Sequence, residues 1–435
     1  MLKAGFSRVD ITPPLGSYLS GYFRDRYADG ILDPIELNAI AIANGQETVV
    51  IVAADILYIE LPYSEQIRQM IADRIGVPKN NVIVTALHQH SSIGLTHHSP
   101  NNTIFQDHAY WNVLHRKFTD VAQLAVNDLA EATLWVDEEP TREPIAFIRR
   151  YLMKDGSIVT NPGMARRDEI VRPQGEADNN VRLLRFKREV GNDIALINFS
   201  THPDVIGGTK FSADWPGFAR RFVEADLGGV SCMTLVGVQG DTNHFNFFAD
   251  QLGKGYGYSE HMGRVIADTV LKIWDRAKEQ TTDRLSADFR IIYNKTRTDG
   301  AERYEECVAF LEAHAKGLLP GQEKGYNVGG AQVSEARRIV NIKNQTIYQK
   351  VPVTTVSVGN VALVGFGGEP FMHYAAAVRE ALPELFVVTS CCTNGSEGYW
   401  PTASAFTEGG YEANSTSFTS TLEEEVVGAV VEMLK

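Results

Sequence analysis

The sequence predicts an α/β domain: mixed β-sheets with flanking helices and a site at the strand ends. Three observations lead there. Short apolar, β-branched runs alternate with amphipathic stretches of helical period. Tight-turn pairs, Asn44-Gly45 and Gly359-Asn360, join neighbouring runs. Several runs also end in polar or ionisable residues, as strands do where an α/β sheet opens onto a crevice.

Taken in order, residues 4–12 read as a strand closed by Pro13-Pro14. A loop rich in glycine and arginine follows, with Gly16, Gly21, Tyr22, Arg24, Arg26 and Gly30. Strands at 36–43 and 48–54 form a hairpin whose second member runs into Asp55. A helix at 62–75 stops near Gly76 and Pro78, and a strand at 81–88 comes next. The polar stretch 91–107, with His97-His98, is long enough to be a functional loop. A helix is expected at 108–131, strands at 145–152, 181–187 and 193–200, then a helix at 216–226 with proline in its first turn. A strand at 231–238 leads to Asp241, and helix 256–279 follows. From 285 the pattern shifts to strand 285–293, helices 300–316 and 331–342 around a glycine-rich loop, and strands 350–358 and 360–366. Helix 371–382, strand 385–390 and helix 419–434 complete the chain. No fixed-period repeat is visible in the sequence.

Composition narrows the function. With 435 residues, 44% hydrophobic and 22% charged, the chain supports a sizeable core. A net charge of −13 argues against nucleic acid and anionic membranes as partners. No apolar run is long enough to span a bilayer, and the first residues lack the apolar core of a signal peptide, so a cytoplasmic location is expected. Cys232, Cys307, Cys391 and Cys392 show no zinc-cluster spacing, so a metal site would draw on histidines and carboxylates. GxGxxG, phosphate-loop and GxSxG motifs are absent.

The densest candidate is Val84-Thr85-Ala86-Leu87-His88-Gln89-His90. Residues i and i+2 of a strand share a face, so His88 and His90 are expected side by side at a strand end. His202, Asp241 with Asn243 and His244, and Glu369 occupy comparable exits. Two histidines and a carboxylate are a ligand set of catalytic zinc sites. The bland alternative is that the carboxylates cap helices and turns and the histidines are ordinary loop residues.

In order along the chain come AGFSRVDITPPLG, GILDPIELNAIAI, VTALHQHSS, FIRRY, STHPDVIGG, FSADWPGFAR, GVQGDTNHFN, VGFGGEPF and YEANST. In this order they resemble the catalytic domain of the neutral/alkaline (non-lysosomal) ceramidases, zinc amidohydrolases that cleave N-acyl-sphingosine, with this chain as a divergent, bacterial-type member. The resemblance covers nearly the whole chain. It implies one catalytic domain over 1–435, compatible with a subdomain at 285–345; the C-terminal immunoglobulin-like domain that full-length members of the family carry is not expected here. By position it places the zinc ligands on His88, His202, Glu369 and Tyr399. It makes His90 and Arg149 the groups that meet the reacting carbonyl or its oxyanion, with Asp241 and Asn243 beside them. Asn243 stands where the family has a serine.

The expectation is therefore a Zn2+-dependent hydrolase that cleaves a linear amide C–N bond of a small molecule. The alternatives are a zinc hydrolase of a soluble non-lipid substrate (an ester, lactone or sugar derivative) and a non-catalytic binding protein on the same fold. Neither nucleic acid nor stable membrane association is expected, and homo-oligomerisation is compatible with the sequence.

Overall fold

The computed structural model describes residues 1–96, 108–280, 284–319 and 330–435. His97 and His98, and with them most of the expected 91–107 loop, lie outside the described residues.

One arrangement occurs three times. The first unit has strands Lys3–Asp10, Glu36–Ala43 and Thr48–Ala54, helix Leu61–Ile75, strand Val82–Ala86 and helix His108–Asn127. The second has strands Ala130–Pro140, Asn180–Arg188 and Asp193–Phe199, helix Asp214–Leu227, strand Val230–Val236 and helix Tyr256–Ile273. The third has strands Leu285–Lys295, Tyr348–Val358 and Val361–Phe366, helix Met372–Ala381, strand Phe386–Ser390 and, at the end of the chain, helix Leu422–Leu434. In each unit the first three strands form an antiparallel meander. The fourth strand lies parallel to the third after a helical crossover. The sequence reading found no repeat because this one is topological: strand order recurs while side chains and connecting loops do not.

Two units share a sheet. Lys3 and Ala4 pair with Glu131 and Ala130, which joins the first two meanders edge to edge into a nine-stranded sheet that also holds Lys278–Glu279. The third unit forms a four-stranded sheet of its own. Its Val356, Leu363 and Val388 enter the same buried core as Ile40, Val50 and Leu196 of the larger sheet. Strand Thr48–Ala54 is covered on both faces, which explains its unbroken apolar run. Helix Leu61–Ile75 carries proline in its first turn and ends at Gly76, where φ is 73° and the backbone N–H donates to the Ala72 carbonyl.

Most expected elements stand within a few residues of their predicted limits. Of the long strands one was missed, and the short strands Ile158–Thr160 and Ile170–Pro173, which flank Arg150–Met153 in a three-stranded sheet, were not expected either. The helix expected to reach 131 stops at Asn127, and the run after it is strand Ala130–Pro140. Ala132, Leu134 and Val136 are buried while Thr133 is exposed and Trp135 half-buried, the period of two that marks a strand. Helix 256–279 is also shorter, ending at Ile273. Among the described residues no helix is long and apolar enough to cross a membrane. All four cysteines are free and buried.

In each unit the third and fourth strands run parallel, so their C-terminal ends lie at the same edge. Hydrogen bonds tie the three edges together. Asn394 N–H donates to the Val84 carbonyl (2.7 Å), Cys391 N–H to Val236 (3.1 Å) and Gly240 N–H to Pro370 (2.8 Å).

A buried ion pair locks the first unit to the second. Arg220 donates to both oxygens of Asp55 and, at 2.9 Å, to Glu36; the Arg220 and Asp55 side chains are 0% exposed. Asp55 also accepts from Gln89 Nε2 at 2.8 Å and from the Glu36 N–H at 2.9 Å. Its role at the strand exit is thus structural. Arg220→Ala is expected to destabilise the fold by about 3–5 kcal/mol, because it leaves a buried carboxylate unpaired. Urea denaturation checks this; an unchanged midpoint would show that the pair is dispensable.

Candidate metal centre

Strand Val82–Ala86 ends two residues before His88. The expectation that His88 and His90 share a strand face is therefore incorrect. His88 has a left-handed backbone (φ 69°), and its N–H donates to the Ile56 carbonyl at 2.9 Å. The chain has already turned, yet the two imidazoles still face each other, 5.2 Å between ring centroids.

His88 Nδ1 lies 2.7 Å from the Leu57 carbonyl oxygen. A carbonyl only accepts, so Nδ1 carries the proton and Nε2 points away from it. His202 repeats the arrangement. Its Nδ1 donates to the Gln239 and Thr242 carbonyls at 2.9 and 3.0 Å. Both Nε2 atoms turn to the same carboxylate oxygen: Glu369 Oε2 is 3.4 Å from that of His88 and 3.1 Å from that of His202. This oxygen is buried and has no hydrogen-bond partner among the described residues. Three lone-pair donors thus converge, and a cation or a proton must separate them.

The separations suit a metal. Two ligand atoms at zinc distance in a tetrahedral site stand about 3.4 Å apart. Nitrogens anchored through Nδ1–H to backbone carbonyls are how metal-binding histidines are commonly oriented. His90 completes a group in which one ring nitrogen each of His88, His90 and His202 lies within 4.8 Å of the others. The donor set of imidazoles and a carboxylate fits a zinc-like divalent ion.

Electrostatics agree. Burial pushes the Glu369 carboxyl up, but His88, His202 and Arg149 outweigh it and hold the group at about 2. Burial beside Arg149 lowers His202 to about 4. Burial also lowers His88, but the Glu369 charge prevails and raises it to about 9, which puts a proton on His88 where a cation would otherwise balance the carboxylate.

The surrounding residues hold this geometry. A side chain at Gly240 would place its Cβ 2.3 Å from the Glu369 carbonyl oxygen, so only glycine allows the two loops to meet. Tyr399 pairs with Glu369 in a short parallel ladder, and its ring lies 5.2 Å from the Arg149 guanidinium. Arg149 donates to Glu412 at 2.7 Å and to the Gly240 carbonyl at 2.8 Å, and its Nη1 is 3.4 Å from His202 Nε2.

Of the eight residues expected in the site, the structure brings His88, His90, His202, Glu369, Arg149 and Tyr399 together. Asp241 and Asn243 make their hydrogen bonds behind them. Asp241 Oδ1 accepts the Met372 N–H at the start of helix Met372–Ala381 and faces a separate cavity of about 660 Å³ beside Arg150. Asn243 donates to Asn161 at 2.6 Å and accepts from the Phe245 N–H at 3.0 Å. His244, read as a loop histidine, is buried against Phe245. Sequence reasoning missed Glu412 and Asp204. Glu412 was legible only as the charge within YEANST, and Asp204 as the acid two residues after His202.

No family model matches the chain, and no curated protein matches it. Solved structures do. A crystal structure of neutral ceramidase from Pseudomonas aeruginosa superimposes with a TM-score of 0.74 at 17% identity, over 99% of this chain and 74% of that one. A ceramidase complexed with C2 gives 0.73 at 16%, with the same coverage. The chain has the fold of these ceramidases from end to end.

Acid should loosen the centre. His202 and His244 are held at about 4 and about 3, chiefly by burial, against an ordinary 6.5. Below pH 6.5 the unfolded chain takes up protons that these folded groups refuse. The contribution of these two histidines is therefore full above 6.5 and is lost as pH falls toward 4, whereas His88, raised to about 9, contributes in the opposite sense, its share being lost as pH rises from 6.5 through 9. Glu369 adds its own loss only below about 4.5. In chelator-treated protein the urea midpoint should drop across this window, and less steeply in His244→Phe; parallel profiles would remove His244 from the account.

Proposed function

We propose that the protein is a metal-dependent hydrolase that cleaves an amide C–N bond, with His88, His202 and Glu369 as ligands of a zinc-like ion. The observation that carries this is the carboxylate oxygen facing two imidazole nitrogens at 3.1 and 3.4 Å, each ring anchored by its far nitrogen to backbone carbonyls. Tyr399, beside Glu369 on its short ladder, is the candidate fourth ligand. When bound, the ion supplies a Lewis acid and brings the pKa of water into the neutral range.

The chain's own residues do the rest. Arg149 is fixed by Glu412 and Gly240, so its charge meets a carbonyl oxygen that gains charge without first having to reorganise. His90 lies between the two ligand histidines and the loop that carries Tyr22, within reach of the group being cleaved. Burial lowers His90 strongly, so its ring is neutral at working pH. The fold shared with the ceramidases supports this reading.

A second reading of the substrate rests on the cavity next to Tyr399. About 580 Å³ is lined by Tyr399, Tyr411, Ser396, Ser417, Glu60 and Glu397, with Phe418 and Pro62 as its apolar members. Glu60 and Glu397 on this wall suit a hydroxyl- or amine-bearing group, as in a small soluble amide or ester, beside apolar surface that exceeds the polar.

Purified protein should carry one zinc per chain by elemental analysis. His88→Ala, His202→Ala and Glu369→Gln should each weaken zinc by more than about 100-fold, beyond the loss typical of changes around a ligand. Hydrolysis of a panel of N-acyl amides and polar esters should stop with chelator and return with zinc. Full zinc retention in both histidine variants would remove the ligand assignment. A panel that stays inert with zinc bound would leave a binding protein.

A further inference from the structure

We propose that Asp204 is a positioning residue that fixes His90 in its Nδ1–H form, so that Nε2 acts as the proton acceptor of the hydrolysis. This rests on the hydrolase reading above and gives His90 a role opposite to the oxyanion donor that the sequence resemblance implies.

His90 is the one imidazole of the central three without a backbone carbonyl on a ring nitrogen. Both of its nitrogens are buried and lack a partner at hydrogen-bond distance among the described residues, although a buried polar atom normally has one. Among the described residues Asp204 stands beside it, its Oδ1 3.6 Å from Nδ1. Contacts of this kind shorten when a substrate fills the site. Asp204 is itself held, accepting a hydrogen bond from the Tyr22 hydroxyl. Tyr22 lies 5.5 Å from the His90 ring, and Arg26 stacks on Tyr22 with its guanidinium carbon 4.0 Å from the ring centroid.

The backbone fixes the other end. His90 N–H donates to the Pro203 carbonyl at 3.0 Å, and its carbonyl accepts from Arg26 at 2.7 Å. A Cβ at Gly21 would stand 2.7 Å from His90 Nδ1, so the loop presses on that edge of the ring. Nδ1 therefore belongs to the loop and Asp204, and the opposite edge, Nε2, is left for chemistry. In its ionised form, the form that accepts from Tyr22, the Asp204 carboxylate cannot donate. It selects the tautomer with hydrogen on Nδ1 and a lone pair on Nε2.

The step balances. As the oxygen of water bonds to the amide carbon, one water proton passes to His90 Nε2. As the C–N bond breaks, that proton passes to the departing nitrogen, and the products are a carboxylic acid and an amine. Histidine–aspartate pairs in serine hydrolases use the same division of labour, and there an amide in place of the carboxylate yields the wrong tautomer.

The test reads the tautomer directly. Zinc-loaded protein labelled with 15N in histidine is examined by long-range 15N–1H NMR, with His90 assigned from the signal lost in His90→Gln. Wild type should show the Nδ1–H form. Asp204→Asn, whose amide can donate to Nδ1, should switch it to the Nε2–H form, and Asp204→Glu should retain Nδ1–H. Zinc content should be equal in all three. A wild-type His90 in the Nε2–H form, one with a metal-bound nitrogen, or one unmoved in Asp204→Asn would overturn the proposal. Failure of zinc to bind would sink the ligand assignment alone, since the tautomer can still be read in metal-free protein. If Asp204→Asn does not fold, the wild-type spectrum decides.

Discussion

A carboxylate and two imidazoles that all point lone pairs at one small buried space do not coexist without something positive between them. Glu369, His88 and His202 are held in that arrangement, and much of the nearby structure serves to maintain it. Backbone carbonyls grip the far side of each imidazole. Glycine at 240 lets a loop reach the Glu369 backbone. Arg149 is committed to Glu412, whose side chain is fully buried. Each device restricts motion around a cluster that would repel itself in water-free surroundings.

The repeated topology explains why the cluster sits where it does. Each unit brings the ends of two parallel strands to one edge, and the three edges are stitched together by hydrogen bonds. The third-strand exits carry Asp55, His202 and Glu369. The first is used for an ion pair that holds two units together, while the other two face the centre. One architecture therefore supplies three equivalent stations, and the side chain at each decides between support and chemistry.

Much of this was legible in the sequence because apolar runs ending in ionisable residues are a local signal. His88, His202 and Glu369 stand out for that reason. Strand Ala130–Pro140 did not, because its alternation begins within three residues of a helix end and merges with the helical pattern. The convergence of His88 and His90 was anticipated for an incorrect reason: a left-handed residue beyond the strand, not strand periodicity, aims the first ring. Glu412 and Asp204 were illegible as site residues because their meaning lies in partners far away in sequence, Arg149 for one and Tyr22 for the other. Nothing in residue order announces such pairings.

That His88, His202 and Glu369 come one from each unit has a consequence for biosynthesis. A growing chain that has made two units holds both histidines but lacks the carboxylate, so it presents only a weak, neutral pair to passing metal ions. The third unit leaves the ribosome after the other two. If these residues hold the proposed ion, its capture would follow synthesis of the third unit, and a loaded centre would report that all three units have found one another.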